Sequence, residues 1–551
     1  MKRIVIVGGA AGGAGTAARI RRLDEKVKIT LIERAEHFSP AQCGLAYCIG
    51  GVVDAPEALL MQTPEVFGQR YNVDVRLRSE VTEIDRYGHS IKAKNAETGR
   101  SFTLKYDKLV LATGASPVVP DIPGLMDPRV FQLHSFSDMT AILKAVENNR
   151  VRRAIVVGGG CVGLEAAESL VRRGIITGVV EASDHVLPGL DYDMAQLAAM
   201  ELEQHGISLG LHTAVIALED AGEEGLRVRL SGGLDAFADI VVIAAGVRPE
   251  TTLARKAGLG IGITGGIIVD DRQQTTDKDI YAAGDAVEVE GIFGRVLIPL
   301  ASPAVRQGRV AADNICGVGS RYKNTLGLFA MELFDMQLGS VGLTEAQLKS
   351  FDIKYEKVYT RSIAHAPYYP GAASLTLKLM FDKRSGRIYG AQIAGNAGVD
   401  KRLDVLATAM RAGLTADKLC ELELCSAPPF GNAKDAVNTA GYTALGVMQG
   451  TTDLAHWHHV AVTQRLLLDV RTQKEYESGT LPGAVNIPVD ELRARMAELP
   501  KNRRVLCFSG SGERGYIAER ILKQRGHNAK NLSGGFGLYQ LFNQGEKNGS
   551  V

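Results

Sequence analysis

The residues best suited to chemistry in this sequence are thiols. Seven cysteines stand at irregular spacing along the 551 residues: Cys43, Cys48, Cys161, Cys316, Cys420, Cys425 and Cys507. An odd, sparse set of thiols is typical of a reducing compartment, so we expect a cytoplasmic protein whose functional cysteine is catalytic. Cys43, in the segment SPAQCGLAYC, is predicted to begin a helix, whose N-terminus stabilises a thiolate. Such a thiolate can attack a sulfur–sulfur bond.

Cys48 follows Cys43 at the spacing C-x-x-x-x-C, and we interpret it as a packed thiol. Positions five apart on a regular helix point about 140° apart. A Cys43–Cys48 disulfide therefore needs a distorted backbone. A resolving role for Cys48 is the alternative that the spacing leaves open.

A glycine-rich turn between a strand and a helix is expected to position the first dinucleotide. The apolar strand Ile4–Val7 precedes this turn, a helix is predicted over Ala14–Leu23, and the strand Lys28–Ile32 ends at Glu33. The three positions of G-x-G-x-x-G are Gly8, Ala10 and Gly13. This strand–turn–helix–strand order with a terminal acid predicts a dinucleotide site, in which Glu33 holds a ribose.

A second unit repeats the pattern more completely. The strand Ala154–Val157 leads into GGGCVGLEAAE, and the strand Gly178–Val180 ends at Glu181. The glycine positions are Gly158, Gly160 and Gly163. An acid at the end of the second strand favours NADH over NADPH, because it repels a 2′-phosphate.

Three further apolar strands run into turns of small residues. The segments are YDKLVLATGASP (Tyr106–Pro117), ADIVVIAAGVRP (Ala238–Pro249) and DIYAAGDA (Asp279–Ala286). The last segment presents Asp285 after a glycine, where it can accept a hydrogen bond from a cofactor hydroxyl. Glycine makes up 62 of the 551 residues, about 11% against a usual ~7%, as nucleotide-binding folds require.

These motifs together resemble the flavoprotein disulfide reductases with two dinucleotide-binding domains, over Met1 to about Gly450. Six residues match the pattern S-x-A-N-C-G-L-P-Y of the single-cysteine branch: Ser39, Ala41, Cys43, Gly44, Leu45 and Tyr47. That branch contains coenzyme A disulfide reductases, polysulfide reductases, NADH oxidases and NADH peroxidases. Gln42 and Ala46 depart from the pattern. The resemblance implies FAD on the first unit, NADH or NADPH on the second, and Cys43 as the redox-active cysteine.

The resemblance also implies the residues that bind cofactors. They are Gly8, Ala10, Gly13, Glu33, Arg34, Ser39, Gln42, Cys43, Val81, Ala112, Thr113, Gly114, Gly158, Gly160, Gly163, Glu165, Glu181, Gly246, Gly284, Asp285, Pro299 and Ala301. Arg19 and Arg22 match basic residues that hold the phosphates of coenzyme A, with Ser39 and Gln42 also facing substrate. A solvated helix face is the alternative interpretation of the two arginines. No metal site is expected.

Residues 326–450 match the family's interface domain, which implies a homodimer whose active sites are shared between subunits. Its expected elements are the strands Leu375–Asp382 and Ile388–Gly395 and a helix over Asp400–Ala412. Tyr368 or Tyr369, in HAPYYPGAA, would protonate a leaving thiolate. Ser426, beside Cys425, replaces a second family tyrosine, which opens the site to a polysulfide or a persulfide.

After a connector over 451–460, residues 461–551 resemble a rhodanese-like domain. Its family loop reads C-x-x-G-x-R-G-Y, and Arg514, Gly515 and Tyr516 set the register that puts Ser509 in place of the nucleophile. Cys507 falls in the preceding apolar strand and is expected to be buried. A serine hydroxyl cannot form a persulfide, so we expect no sulfurtransferase activity.

The predicted fold is α/β, with two Rossmann-like domains, an α+β dimerisation domain and a C-terminal α/β rhodanese-like domain. Residues 1–115 and 240–325 bind FAD and residues 116–239 bind NAD(P)H. A net charge of +1 gives no sign of nucleic-acid binding, and no apolar run is long enough for a membrane span. The expected function is reduction of a polysulfide, persulfide or coenzyme A disulfide. An NADH oxidase or peroxidase using a Cys43 sulfenic acid and a redox-sensing binding protein are the alternatives.

Overall fold

The computed structural model describes residues 1–147, 150–460 and 465–548, with side chains as far as residue 542. The chain divides into two compact units. One consists of Met1–Ala182 and Gly206–Thr325, and the other of Ser183–His205 and Leu326–Val551. No helix within the described ranges is long and apolar enough to cross a membrane.

The first sheet of the N-terminal unit contains five parallel strands. Their order is Ile280–Ala282, Lys108–Leu111, Arg3–Val7, Lys28–Ile32 and Val73–Arg76. Four of the five residues of Arg3–Val7 are buried, as expected for a parallel strand covered on both faces. The helix Ala11–Leu23 begins three residues earlier than predicted, because Gly12 and Gly13 belong to its first turn. It packs against the helix Ala301–Ile315.

The second sheet repeats this architecture. Its five parallel strands have the order Ser208–Gly210, Ile176–Val180, Arg153–Val157, Ile240–Ile243 and Val130–Gln132. The helix Cys161–Arg172 follows its central strand. Two Rossmann-like sheets therefore lie within one unit, in agreement with the predicted fold class.

Smaller elements complete the N-terminal unit. The minor sheets contain Ser79–Asp85, Ser90–Asn95 and Ser101–Lys105; Val215–Asp220, Leu226–Leu230 and Asp235–Ala238; Ala115–Pro117 and Val247–Pro249; and Ile267–Ile268, Val287–Glu290 and Arg295–Val296. The remaining α-helices are Leu45–Ile49, Pro64–Tyr71, Phe136–Val146 and Thr252–Lys256. The helix Leu45–Ile49 matters most for the site, because it directly follows Cys43.

The second unit is built around a five-stranded antiparallel sheet. Its strands have the order Phe329–Leu333, Met336–Gly342, Ile388–Gly395, Ser374–Phe381 and Glu356–Ile363. The α-helices around it are Tyr192–Gln204, Glu345–Ser350, Val399–Ala412 and Ala436–Met448. All eight residues of Ile388–Gly395 are buried, which makes this strand the centre of the core.

One buried ammonium group links distant parts of this unit. Lys378 is fully buried, and its Nζ lies 2.8 Å from Asp191, 2.9 Å from Asp193 and 2.5 Å from Glu345. The Tyr359 hydroxyl donates to Asp193. Although burial opposes the charge, the three carboxylates raise the pKa of Lys378. The residues of 183–205 are thereby fixed to the antiparallel sheet.

The C-terminal part of the chain forms a parallel sheet of its own. The order is Leu454–Ala455, Ala529–Leu532, Val505–Phe508, Leu466–Asp469 and Val485–Asn486, with α-helices Gln473–Glu477, Leu492–Arg495, Glu513–Gln524 and Gly535–Asn548. Within the predicted polar connector 451–460, Leu454–Ala455 pairs with Asn531 and Leu532 as an edge strand of this sheet. The predicted domain boundary at 461 and the last residues, 549–551, lie outside the described residues.

Candidate active site

The predicted FAD residues meet at one edge of the first sheet. Val7 pairs with Leu111, and Leu111 pairs with Ala282, so the turns after these three strands are neighbours. The turns contain Gly8, Ala10 and Gly13; Ala112, Thr113 and Gly114; and Gly284 and Asp285. The carboxyl edge of a parallel sheet is where α/β folds bind nucleotides.

The first glycine turn is too tight for side chains. Gly8 has a φ of 103°, and a Cβ on it would lie 2.0 Å from Ala112 O. A Cβ on Gly13 would lie 1.9 Å from Gly8 O. Glu33 accepts hydrogen bonds from the amides of Gly9 (2.7 Å) and Ala35 (2.8 Å) beside this turn. A tight turn, a helix N-terminus and an adjacent acid are what a dinucleotide requires, so these residues fit FAD.

The neighbouring turn holds Asp285. Partial burial raises the pKa of Asp285 to about 6. The amide of Gly284 donates to the Gln307 side chain at 2.7 Å, and Gln307 is buried. Gln307 was not predicted, because a glutamine inside a helix carries no motif.

The other residues implied for FAD are distributed around this edge. Val81 and Ala112 are buried, Thr113 donates its hydroxyl proton to Glu250 O at 2.6 Å, and Gly114 adopts a positive φ of 68°. Arg34, Pro299 and Ala301 are exposed, the last at the first residue of its helix. Their contact with a cofactor remains a prediction.

The second glycine turn has the same geometry as the first. A Cβ on Gly158 would lie 2.3 Å from Ala244 O, and one on Gly163 would lie 2.0 Å from Gly158 O. Apart from its two chain neighbours, no described residue lies within 4 Å of a Cβ built on Gly160, so this position is open. Glu181 accepts a hydrogen bond from the Gly159 amide at 2.6 Å, as Glu33 does from Gly9. Gly246, with a positive φ of 98°, follows the adjacent strand.

Cys43 is exposed on a 3₁₀ turn, Gln42–Gly44, directly before the helix Leu45–Ile49. Gln42 is also exposed, and Ser39 adopts a left-handed φ of 44° just upstream. Cys48 is buried within the short helix, and this burial raises the pKa of its thiol. The seven cysteines, all within the described residues, are free thiols. The burial agrees with the interpretation of Cys48 as a packed thiol.

Arg19 and Arg22, proposed to hold coenzyme A phosphates, lie on the helix after the first glycine turn. The Arg19 guanidinium contacts Asp313 at 2.6 Å. Arg22 is exposed and donates to Ala18 O of its own helix at 3.0 Å. Arg22 is therefore the more accessible of the two.

The tyrosines proposed to serve as acids lie on the second unit. Tyr368 and Tyr369 are 79% and 41% exposed, and the Tyr369 ring packs edge-on against His365. Ser426 and Cys425 are both exposed. These side chains are available to another molecule.

The C-terminal loop surrounds Ser509 with backbone amides. Ser509 is buried, and its Oγ accepts hydrogen bonds from Gly512 (3.2 Å) and Gly515 (3.1 Å). Arg514 forms two hydrogen bonds to Glu475, at 2.7 and 2.6 Å. Cys507 lies in the strand Val505–Phe508 and is fully buried, as predicted, and this burial raises the pKa of its thiol.

Three family models match successive parts of the chain. Residues 2–308 match the pyridine nucleotide-disulphide oxidoreductase model, residues 330–437 match the dimerisation domain of that family, and residues 454–541 match the rhodanese-like domain. The third match begins at the edge strand Leu454–Ala455 rather than at residue 461.

Two curated relatives each match about four fifths of the chain. The chain is 35% identical to an NADH oxidase of Methanocaldococcus jannaschii, over 80% of this chain and 98% of that protein. It is 33% identical to a coenzyme A disulfide reductase of Staphylococcus haemolyticus, over 81% of this chain and 99% of that protein.

Two solved structures match nearly the whole chain. Reduced Bacillus anthracis CoADR-RHD has a TM-score of 0.96 and 43% identity, and the match covers 98% of each chain. An NAD-dependent persulfide reductase from A. fulgidus has a TM-score of 0.92 and 35% identity, with 97% of this chain and 99% of that chain covered. The chain belongs to the pyridine nucleotide-disulphide oxidoreductase family, with a rhodanese-like domain at its C-terminal end.

Proposed function

We propose that this chain reduces sulfur–sulfur bonds with electrons from NADH, and that Cys43 is the attacking thiolate. The observation that carries the proposal is the exposed Cys43 on its 3₁₀ turn, in the same unit as two glycine turns shaped for dinucleotides. When FAD is bound, it supplies the two-electron chemistry that connects a nicotinamide nucleotide with a thiol. Gly8, Gly13 and Glu33 would hold it.

Cys43 performs the sulfur chemistry. Its thiolate attacks one sulfur of R–S–S–R′, forms the mixed disulfide Cys43–S–S–R, and releases R′–S⁻. Addition of two electrons to the mixed disulfide releases R–S⁻ and restores the Cys43 thiolate. NADH becomes NAD⁺ over the cycle, and each released thiolate takes up a proton according to pH.

A persulfide or polysulfide is the substrate that the site favours. Ser426, where related proteins carry a second tyrosine, removes one aromatic hydroxyl and leaves a smaller, exposed side chain. A persulfide reductase is among the structures that resemble the whole chain. Coenzyme A disulfide also contains a sulfur–sulfur bond and is the alternative substrate. Arg22 would then be the accessible cation for its phosphates.

The active site is proposed to be shared between two subunits. Tyr368 and Tyr369 are exposed on the unit that contains the dimerisation domain, where they can serve a partner's Cys43. A tyrosine hydroxyl would protonate the departing thiolate. Seven free thiols support a reducing, cytoplasmic setting.

An NADH oxidase is the second candidate, because one curated relative, 35% identical to this chain, has that name. That relative matches 80% of the chain, whereas CoADR-RHD and the persulfide reductase match 98% and 97%. The similarity over the C-terminal domain therefore favours sulfur over oxygen as the acceptor.

Replacement of the thiol tests the proposal directly. Cys43→Ser should bind FAD and accept electrons from NADH, but its turnover with persulfide, polysulfide or coenzyme A disulfide should fall at least about 10³-fold. Turnover is measured anaerobically as NADH consumed and thiol or sulfide released.

Cys48→Ser is the matched control, because it removes the buried thiol of the same segment and should retain most activity. Full turnover by Cys43→Ser would contradict the mechanism. Oxygen consumption equal to NADH oxidation, without reduction of any sulfur acceptor, would indicate an oxidase instead.

A further inference from the structure

The short helix after Cys43 is fastened to the helix after the second glycine turn. The contacts are Tyr47 Oη to Glu165 Oε1 (3.3 Å), Ser169 Oγ to Ala46 O (2.7 Å) and Arg173 Nε to Ile49 O (2.7 Å). The helices also approach closely at Gly50, where a Cβ would lie 3.0 Å from Ser169 Oγ. The segment that carries the thiol is therefore held against the helix of the second predicted dinucleotide site.

Only the first of these contacts joins two titratable side chains. Glu165 lies two residues after Gly163, on the helix Cys161–Arg172. Partial burial raises its pKa to about 7, and the nearby Glu168 carboxylate adds to the rise. The hydrogen bond from Tyr47 lowers the pKa of Glu165, because a donated O–H stabilises the carboxylate.

Two other ionisable side chains, Glu168 and Cys161, lie on the same helix as Glu165. On the same helix, Glu168 is paired with Arg172 at 2.8 Å. Loss of hydration and the Glu165 carboxylate raise the pKa of Cys161 to about 11, so that thiol stays neutral. The pKa of Glu165 therefore lies closer to neutral pH than that of Cys161.

We propose that Tyr47 is a positioning residue that donates a hydrogen bond to the Glu165 carboxylate and so holds the Cys43 helix against the nucleotide-binding helix. An ionised Glu165 can accept a hydrogen bond from an amide N–H, such as the carboxamide of a nicotinamide nucleotide, whereas a protonated one loses acceptor capacity. This inference rests on the proposed function, because it concerns how NADH is received in the reaction that leads to Cys43.

The test is the pH dependence of flavin reduction by NADH, followed anaerobically in the FAD-loaded full-length chain. The unmodified protein should show a rate that rises with pH through an inflection near neutrality. Tyr47→Phe keeps the ring but removes the hydroxyl, so the carboxylate loses a stabilising donor. Its inflection should move upward by about one pH unit.

Two further variants distinguish a positioning role of Tyr47 from a general loosening of the contact between the two helices. Glu165→Gln should abolish the inflection, because the side chain no longer titrates. Ser169→Ala removes another hydrogen bond between the same two helices but leaves Glu165 and Tyr47 in place. It should keep the inflection at the pH of the unmodified protein.

An unmoved inflection in Tyr47→Phe overturns the inference while leaving Cys43-dependent turnover untouched. An equal shift in Ser169→Ala also overturns it, since the effect would then follow from loosened packing alone. If NADH does not reduce the flavin of the unmodified protein at all, the proposed function and this inference both fail.

Discussion

At the scale of single residues, two acids hold equivalent places. Glu33 and Glu181 each end the second strand of a dinucleotide unit, and each accepts a hydrogen bond from a glycine amide in the turn, at 2.7 and 2.6 Å. The amide fixes each carboxylate beside its glycine turn, where a dinucleotide-binding fold is expected to hold an adenosine ribose. A carboxylate held there accepts hydrogen bonds from two ribose hydroxyls and repels a 2′-phosphate.

Glu181 is therefore expected to set the preference between nucleotides. The unmodified protein should have a higher kcat/KM with NADH than with NADPH, and Glu181→Ala should reduce this ratio by about tenfold or more, as the repulsion is lost. Steady-state kinetics with both nucleotides measure the change. Glu33→Ala is the matched control, because it should weaken FAD retention and leave the nucleotide ratio unaltered. A native preference for NADPH would contradict the role of Glu181.

At the scale of elements, the loop Ser509–Gly515 has a serine where sulfur transfer needs a thiol. Its amides already point at Ser509 Oγ, at 3.2 and 3.1 Å, so the loop is folded around that position. Ser509→Cys should gain thiosulfate-to-cyanide transfer from an undetectable baseline, because the amides would stabilise a thiolate or a persulfide there.

Cys507 supplies the control for this loop. Cys507→Ala should change neither the baseline nor the gain, since Cys507 is buried in the preceding strand. Substantial transfer by the unmodified chain would show that the register of the loop was misassigned. A gain that required Cys507 would lead to the same conclusion.

Motifs within one segment of the sequence predicted the glycine turns well. Contacts between segments that are distant in the sequence could not be predicted. The glycine turns were recognisable because the close approaches of Gly13 to Gly8 O and of Gly163 to Gly158 O arise within one strand–turn–helix unit. The strand Leu454–Ala455 was missed, since its two residues acquire strand geometry only by pairing with Asn531 and Leu532. The role of Gln307 could likewise not be predicted, because its hydrogen-bond partner, Gly284, is 23 residues away in the chain.

At the scale of the whole molecule, the proposed sharing of active sites between two subunits predicts complementation. Cys43→Ser should lack its nucleophile, and a Tyr368→Phe, Tyr369→Phe double variant should lack its proton donor. In a mixed dimer, one of the two sites would receive Cys43 from one subunit and the tyrosines from the other. Unfolding and refolding the variants together should restore about one quarter of native turnover, because half of the dimers are mixed.

The control for this experiment is the same mixture without subunit exchange, which should stay inactive. Size-exclusion chromatography with light scattering establishes that dimers have formed. Mixed dimers without recovered turnover would mean that each subunit contains a complete site.

The buried Lys378 has a consequence for the order in which the chain is built. Asp193 precedes Lys378 by 185 residues. At translation rates of about 5–20 residues per second, the acid leaves the ribosome on the order of 10–40 s before its counter-ion. Burial of an unpaired carboxylate costs free energy. The residues around Asp191 and Asp193 are therefore expected to stay exposed to solvent during this interval. The nascent chain therefore carries an undocked acidic segment until Lys378 emerges.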